Sequence, residues 1–539
     1  MEKRLLLAFV LSFLVLSIWS VSTRKELATH QDRSQPVKTS QQETPFVDEK
    51  KEGALENIKP EIAKSPETST ESSAYTEVEN ENLTLVFNSD GGTLHSAKIK
   101  KLNITLPLQK VISLDSTENK NFRLDRLDKN SVYFVFSDKG LRIEKAYNLE
   151  ASDYIVHSNI KIKNVTQQSI EFDPTVTLFS IDFKDEISNK EKWAKEHARD
   201  QSLYEYTVYS AAGIKRKNNA YKFSSSEAKS AEEKIDWMGF RTRYACAIVK
   251  PDYSTGKYEI TKKDENILNL SVSDKLLILK PNEEITLNHV IYFGPENSTI
   301  LKKYGYEFEK IKRFYKLSLF DVVAQFIYRL LHFIYKGIPN WGVCILLISL
   351  IIYMSMYPLT IKGMSSMKKM QAMQPKIGAL REKHKDNPQK LNKEMMDLYK
   401  ENKINPLGGC FPLVLQMPVF IGLYQVLWRD SSFKGAGFLW IQDLSAPDRL
   451  ISNIGGTKFD LNLLPILMFF IMFFQQRITL KTTAFADPDQ KAQQQMMANI
   501  MPIMLAVLFY NFASGLNLYF TIFYTLSLFT QLKMSKVKV

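Results

Sequence analysis

Gln416 stands in the middle of an apolar run, Leu407–Trp428, between Pro412 and Pro418. An amide in hydrocarbon is unfavourable unless a protein group or water receives it, and each proline removes a backbone donor. The other apolar runs of the C-terminal half carry side chains of the same kind: Ser349, Tyr353 and Ser355; Gln425; Asn499; and Asn517, Tyr519, Thr521, Thr525 and Thr530. All are neutral donors and acceptors. Their chemistry is hydrogen bonding, either from helix to helix or to water in a cavity that they line together.

Acid–base, nucleophilic and metal chemistry are not offered by these runs. No Asp, Glu, Lys or Arg lies inside them when the run that begins at Leu461 is taken to Gln476, just before Arg477, and all seven histidines fall elsewhere. Neither H-E-x-x-H, G-x-S-x-G nor a P-loop occurs. The three cysteines, Cys246, Cys344 and Cys410, give neither a disulfide framework nor a zinc spacing. The expectation is a protein without cofactor or bound metal that is not an enzyme. Intramembrane ionisable groups normally mark ion and proton pathways, so their absence argues against a pump. A channel or transporter for a neutral solute remains as an alternative class.

Such side chains must be held by membrane-spanning helices. With 539 residues the chain exceeds one core, and its mean hydropathy of −0.20 averages a polar N-terminal half with an apolar C-terminal half. Residues 1–21, MEKR followed by Leu5–Val21, read as an uncleaved signal anchor with its basic end in the cytoplasm, since no A-x-A cleavage site follows. Further spans are expected at 339–360, 407–428, 461–477, 496–512 and 513–532, which makes six. Residues 22–80, rich in Ser, Thr, Glu, Gln and Lys, read as a disordered tether. From 81 to 310, alternating runs such as LTLVF, SVYFVFS and ILNLSVS separated by turn residues predict an exported antiparallel β-sandwich. Residues 311–338 carry a helical stripe of Leu319, Val322, Val323, Phe326, Leu330, Phe333 and Ile334. That stripe suits a helix in the outer membrane interface, or packing against the sandwich.

Charge sets the orientation. Between Thr360 and Pro406 there are eleven Lys or Arg against five acids, whereas from Arg429 to Asp460 there are four of each. An inside N-terminus and six spans place residues 361–406, the loop 478–495 and the basic tail 533–539 inside, and the loop 429–460 outside. The net charge of +13 therefore reflects a cytoplasmic bias at the membrane, and no specific nucleic acid sequence is expected as a partner. Residues 361–406 read as a cytoplasmic helical hairpin, broken at the DNPQ around Asp386–Gln389. Its methionine stripe includes Met367, Met370 and Met373. Methionine adapts its shape, so this stripe suits contact with varied apolar segments, or packing within the hairpin beside lipid head groups.

These residues also carry a resemblance. NWG at Asn340, MYPLT at Met356, QPKI at Gln374, NPLGGCFPLVLQMPVFIGLY at Asn405, FLWIQDLSAPD at Phe438 and SGLNLYF at Ser514 look like the YidC family of bacterial membrane protein insertases. FNSDGGTL, DWMGFRTRYACAIVKP and IYFGPENSTILKKY are similar, more loosely, to the periplasmic domain of its Gram-negative members. The resemblance implies a polytopic α-helical inner-membrane protein with six transmembrane helices, a periplasmic antiparallel β-sandwich and both termini cytoplasmic. It implies a chaperone and insertase for nascent membrane proteins, acting alone or with the Sec translocon. Membrane lipids and the ribosome or signal recognition particle machinery are the further partners it suggests. In the family, five C-terminal helices enclose a hydrophilic groove open to cytoplasm and lipid. Carried over by position, Ser349, Tyr353, Gln416 and Tyr519 fall on groove positions. Tyr353 departs from the pattern, because the family usually has an arginine five residues before the proline of MYPLT. The groove implied here is polar but uncharged. The family's β-sandwich has a sugar-mutarotase-like fold, which alone gives no enzyme activity.

Overall fold

Alternation of apolar and polar residues decides which side chains of the exported half turn inward. Along Leu83–Asn88, residues 83, 85 and 87 are buried and their neighbours are not, and Ile155–Asn164 follows the same two-residue period. The computed structural model describes residues 75–183, 203–218, 220–224, 228–264, 266–315, 317–384, 387–402, 411–452, 460–482 and 488–536. The expected first span, the tether up to residue 74 and the Gly408–Gly409 turn lie outside them. The strands form two nine-stranded sheets and one small two-stranded sheet, with every pairing antiparallel. One large sheet has Leu108–Leu114, Val176–Asp182 and Ile267–Ser273 at its centre. The other runs through Ile235–Arg241, Ala245–Pro251, Glu284–Pro295 and Ile155–Asn164. Phe87, Phe134, Tyr147, Trp237 and Phe240 fill the space between. Each such side chain contributes roughly 1.5–3 kcal/mol by leaving water. The sandwich begins earlier than expected, because Tyr75–Glu79 pairs with Leu83–Asn88 although it reads as the end of the polar tether.

Lys145 lies fully inside this core, in phase with Ile143 and Tyr147. Its Nζ donates to the carbonyl oxygens of Gly91 (2.6 Å) and Ile112 (3.3 Å). Burial, with the nearby Lys110 charge, lowers its pKa to about 7, while Asp90 opposes the shift. The folded state therefore binds fewer protons than the unfolded chain between about pH 7 and the ordinary lysine value. Stability is highest above that ordinary value and falls as pH drops through the window. We expect hydrogen-exchange protection of the sandwich in the full chain to rise from pH 7 to pH 10 at constant intrinsic exchange. The swing should be a few kcal/mol, since one pKa unit corresponds to about 1.4 kcal/mol. The Lys145→Met variant should show no such rise. Cys246 is buried in the same core, and burial raises its thiol pKa well above the ordinary value, which leaves it unreactive.

Eight helices of ten or more residues follow: α1 (Ser318–Gly337), α2 (Trp341–Ala372), α3 (Gln374–Lys383), α4 (Pro388–Glu401), α5 (Phe411–Arg429), α6 (Leu463–Thr482), α7 (Pro488–Phe509) and α8 (Ser514–Lys536). Among the described residues, two stretches are long and apolar enough to cross a membrane, Trp341–Met370 in α2 and Leu463–Leu480 in α6. A shorter apolar stretch covers Gln494–Phe509. Helix α1 has two apolar faces. Ala324, Ile327, Tyr328 and Leu331 are buried, and Gly422 of α5 lies so close that an added Cβ would sit 3.1 Å from the Ala324 nitrogen. Leu319, Val322, Phe326 and Phe333 are 63–73 % exposed on another face. The exposed set belongs to the stripe read for the membrane interface.

The hairpin boundaries differ from expectation. Instead of ending near Thr360, α2 continues through Pro358 to Ala372, so Met367 and Met370 lie on the same rod as the span and Met373 at its end. All three are half-buried. The break comes at Met373, where Pro375 is tolerated because the first turn of α3 needs no amide donor there. The second break is as expected. Asn387 caps α4 by accepting from the Lys390 amide (3.0 Å), and His384 Nε2 lies 3.0 Å from Glu394, closing α3 on α4.

A buried ionic junction holds the sandwich to the helices. Arg241 binds Glu205 (3.0 Å) and Glu296 (2.8 Å), and Arg216 also reaches Glu205 (3.1 Å). Lys312 donates to the Glu296 carbonyl oxygen (3.1 Å) and lies 3.9 Å from Asp430, which pairs with His332 of α1 at 2.8 Å. Asp430 directly follows α5. Arg243 Nε donates to the Trp428 carbonyl oxygen (2.7 Å) and Arg429 to that of Phe314 (2.7 Å). The helix that carries Gln416 is thereby tied at its C-terminal end to the sandwich.

Candidate functional site

Helix α8 packs against α2, α5 and α6, and its polar side chains meet polar side chains from each. Gln416 Nε2 of α5 donates to the Tyr519 hydroxyl oxygen at 2.7 Å. The Tyr353 hydroxyl of α2 donates to the Leu526 carbonyl oxygen (3.1 Å) and shares a short hydrogen bond with Thr530. From α6, Gln475 Nε2 donates to Ser527 Oγ (2.8 Å), while Gln531 Nε2 returns a bond to Thr479 Oγ1 (2.6 Å). Residues 475 and 479 are one helical turn apart, as are 527 and 531, so two parallel helices present matched rungs. Near the C-terminal end of α8, Lys368 donates to the Met534 carbonyl oxygen.

Of the four groove residues expected from sequence, Gln416 and Tyr519 are brought into contact. Tyr353 reaches Tyr519 only through Phe523, whose ring centroid is 5.6 Å from one tyrosine and 6.0 Å from the other. Ser349 is buried and donates to its own helix at the Ile345 carbonyl oxygen. Tyr353 and Tyr519 are buried as well, while Gln416 is half-buried. Among the described residues the Gln416 Oε1 atom has no hydrogen-bond partner although it is shielded, so its acceptor capacity is unused there. Sequence reading passed over Gln475, Ser527 and Gln531. The four-residue spacing of Gln475 with Thr479, and of Ser527 with Gln531, was the available signal.

The end of this bundle where α8 begins is closed by the loop after α5. The amides of Ser514 and Gly515 at the start of α8 donate to the Ala446 (2.7 Å) and Leu444 (2.9 Å) carbonyl oxygens. Asp448 Oδ2 accepts from the amides of Leu463 (2.7 Å) and Leu464 (3.0 Å), capping α6. Around the bundle, Leu350, Ile351 and Met354 of α2, Phe470 and Phe474 of α6, Ile503 and Val507 of α7 and Phe529 of α8 remain exposed. An exposed apolar surface of that extent marks contact with lipid or protein.

Residues 333–539 match the family model described as 60Kd inner membrane protein, and residues 109–330 match the YidC periplasmic domain. Over its whole length the chain is 29% identical to the membrane protein insertase YidC of Pelobacter propionicus, covering 99% of that protein. The chain belongs to the YidC family of membrane protein insertases. It is 34% identical to the YidC insertase of Herminiimonas arsenicoxydans over 57% of this chain and 54% of that one. A solved structure of an active YidC insertase is 18% identical and covers 86% of this chain and 93% of that one, with a TM-score of 0.37. Membership in the YidC family makes the chain an inner-membrane insertase of nascent membrane proteins and not an enzyme. The YidC periplasmic domain corresponds to the two-sheet sandwich, and the matched C-terminal region to the helices around α8.

Proposed function

We propose that this insertase receives a nascent hydrophobic segment along the polar side of α8, among Ser349, Tyr353, Gln416 and Tyr519, and releases it sideways into the inner membrane. The observation that carries this reading is the Gln416–Tyr519 pair with its unpartnered Gln416 Oε1. A client's polar end must cross hydrocarbon, and hydrogen-bonding groups partway through shorten the dry path. Its apolar stretch then supplies the driving force, at about 0.3–0.6 kcal/mol per Leu-like residue at the centre of the membrane. No nucleotide is required.

The described parts of α2, α5, α6 and α8 inside the proposed spans carry one charged side chain, Arg477 at the last position of the fourth span, so the surface offered to the client above it is neutral. Where the family usually has an arginine, Tyr353 is bonded to α8. The proposed arrangement has six spans, both termini in the cytoplasm, α1 in the outer interface and the sandwich in the periplasm. The Sec translocon, the ribosome or signal recognition particle machinery and membrane lipids are its proposed partners, with Met367, Met370 and Met373 placed to meet a client on the inner side.

Purified protein in liposomes tests this reading. Insertion of a small single-span client, seen as protease protection of its translocated end, is expected without nucleotide and without leakage of a trapped neutral sugar. Sugar leakage without insertion would favour a solute channel and overturn it.

A further inference from the structure

The outer loop ends in a turn with an unexpected residue at its tip. The Phe438 amide donates to the Ile441 carbonyl oxygen (2.8 Å) and the Ile441 amide to that of Phe438 (2.9 Å), closing a two-residue turn over Leu439 and Trp440. Leu439 has φ 52°, in the left-handed region where such turns select glycine or asparagine. A leucine held there is strained, and strain that persists is imposed by its surroundings. Its side chain is 75 % exposed. Backbone energy is thus spent to present an apolar group to the outside.

The turn is clamped at a definite level. The Phe438 ring lies over Gly342 in the first turn of α2, where an added Cβ would come within 2.0 Å of it. Trp440 Nε1 donates to Asp448 Oδ2 (3.3 Å), the carboxylate that caps α6. Leu439 therefore sits beside the outer ends of the two helices that are long and apolar enough to cross a membrane. Helix α1, with exposed Phe326 and Phe333, ends three residues before α2 begins.

We propose that the Leu439 turn is a lipid anchor whose leucine enters the acyl-chain region just beneath the outer-leaflet head groups, a second fixed point beside α1. Two observations favour lipid over a protein partner. A single leucine on a tip between Gly435, Gly437 and a half-buried tryptophan is far smaller than the roughly 1,200 Å² that a stable protein interface buries. Further along α2, past its buried and half-buried first turns, Leu350, Ile351 and Met354 are exposed as well, as on a helix facing lipid. A fixed turn at this depth would resist vertical movement of α2 and α6 while a client passes along α8. The proposal rests on the membrane placement of α2 given above.

The test is collision accessibility of a nitroxide in the full chain, with Cys246, Cys344 and Cys410 replaced by alanine, in nanodiscs of phosphatidylethanolamine and phosphatidylglycerol. Labels are placed singly through Leu439→Cys, Phe326→Cys and, as a water-exposed control on the sandwich, Lys129→Cys. Positions 439 and 326 are expected to collide several-fold more with oxygen than with a water-soluble nickel complex, and position 129 the reverse. Nickel preference at 439 with oxygen preference at 326 overturns the anchor and leaves the membrane placement standing. Protection from both reagents at 439 also overturns it, in favour of a protein partner or second copy. Nickel preference at both 439 and 326 refutes the membrane placement itself, and the anchor with it.

Discussion

Replacing Arg241 by methionine is expected to cost about 3–5 kcal/mol of stability, because it leaves buried Glu296 without its cation and Glu205 with Arg216 alone. Arg241, Glu205 and Glu296 are all almost fully buried. Their mutual attraction and hydrogen bonds offset desolvation only while all are present. Burial pushes the Glu205 carboxyl up, but the guanidinium groups of Arg241 and Arg216 outweigh it and hold its pKa below the ordinary value. Asp430 is similar, with burial opposed by Lys312 and His332 and a net lowering. Both carboxylates thus contribute stability that is present above the ordinary carboxylate range and lost as pH falls through their lowered folded values. Arg241→Met should lower the thermal midpoint of the purified chain and expose strand Ile235–Arg241 to hydrogen exchange. Adding Glu296→Leu should recover part of the loss, since it removes the carboxylate left without a cation while Glu205 keeps Arg216. A full-strength sandwich in Arg241→Met would show that the junction contributes nothing.

The second large effect is on insertion. In the double variant Gln416→Leu with Tyr519→Phe, the contact between α5 and α8 loses the hydrogen bond between these two side chains and presents hydrocarbon to the client. Two hydrogen-bonding groups at roughly 1 kcal/mol each correspond to about a tenfold to thirtyfold slower insertion of clients with a polar translocated end. Clients that are apolar throughout should be affected less. Rates are to be normalised to folded protein, because the same bond also ties two helices together. If the double variant melts earlier but inserts normally per folded molecule, the pair is structural and the client path lies elsewhere.

The strands were legible where alternation was strong, as at Leu83–Asn88 and Ile267–Ser273. Tyr75–Glu79 was not, because its alternation has too few apolar residues to stand out from the polar stretch before it. The inward turn of Lys145 was implicit in its phase with Ile143 and Tyr147, yet a lysine there reads as a solvated position until the carbonyl oxygens that receive it are known. The continuation of α2 beyond Thr360, unbroken by Pro358, also escaped sequence reading. Proline disfavours a helix locally, and only packing shows that it is tolerated. At the site, residue types were readable and partners were not. Gln416 and Tyr519, 103 positions apart, meet across two helices, whereas Tyr353 bonds to Thr530. Which polar groups converge is a property of helix register, and no local pattern records it.

The central claim, that clients pass along the polar side of α8, is tested most directly by crosslinking. A photoreactive residue is placed at Gln416 or Ser527, and at exposed Phe470 as a lipid-facing control, in cells that synthesise a stalled single-span client. Adducts to the client are predicted from 416 and 527 and not from 470 while the chain is short. Adducts from 470 alone, with none from 416 or 527, would contradict the account.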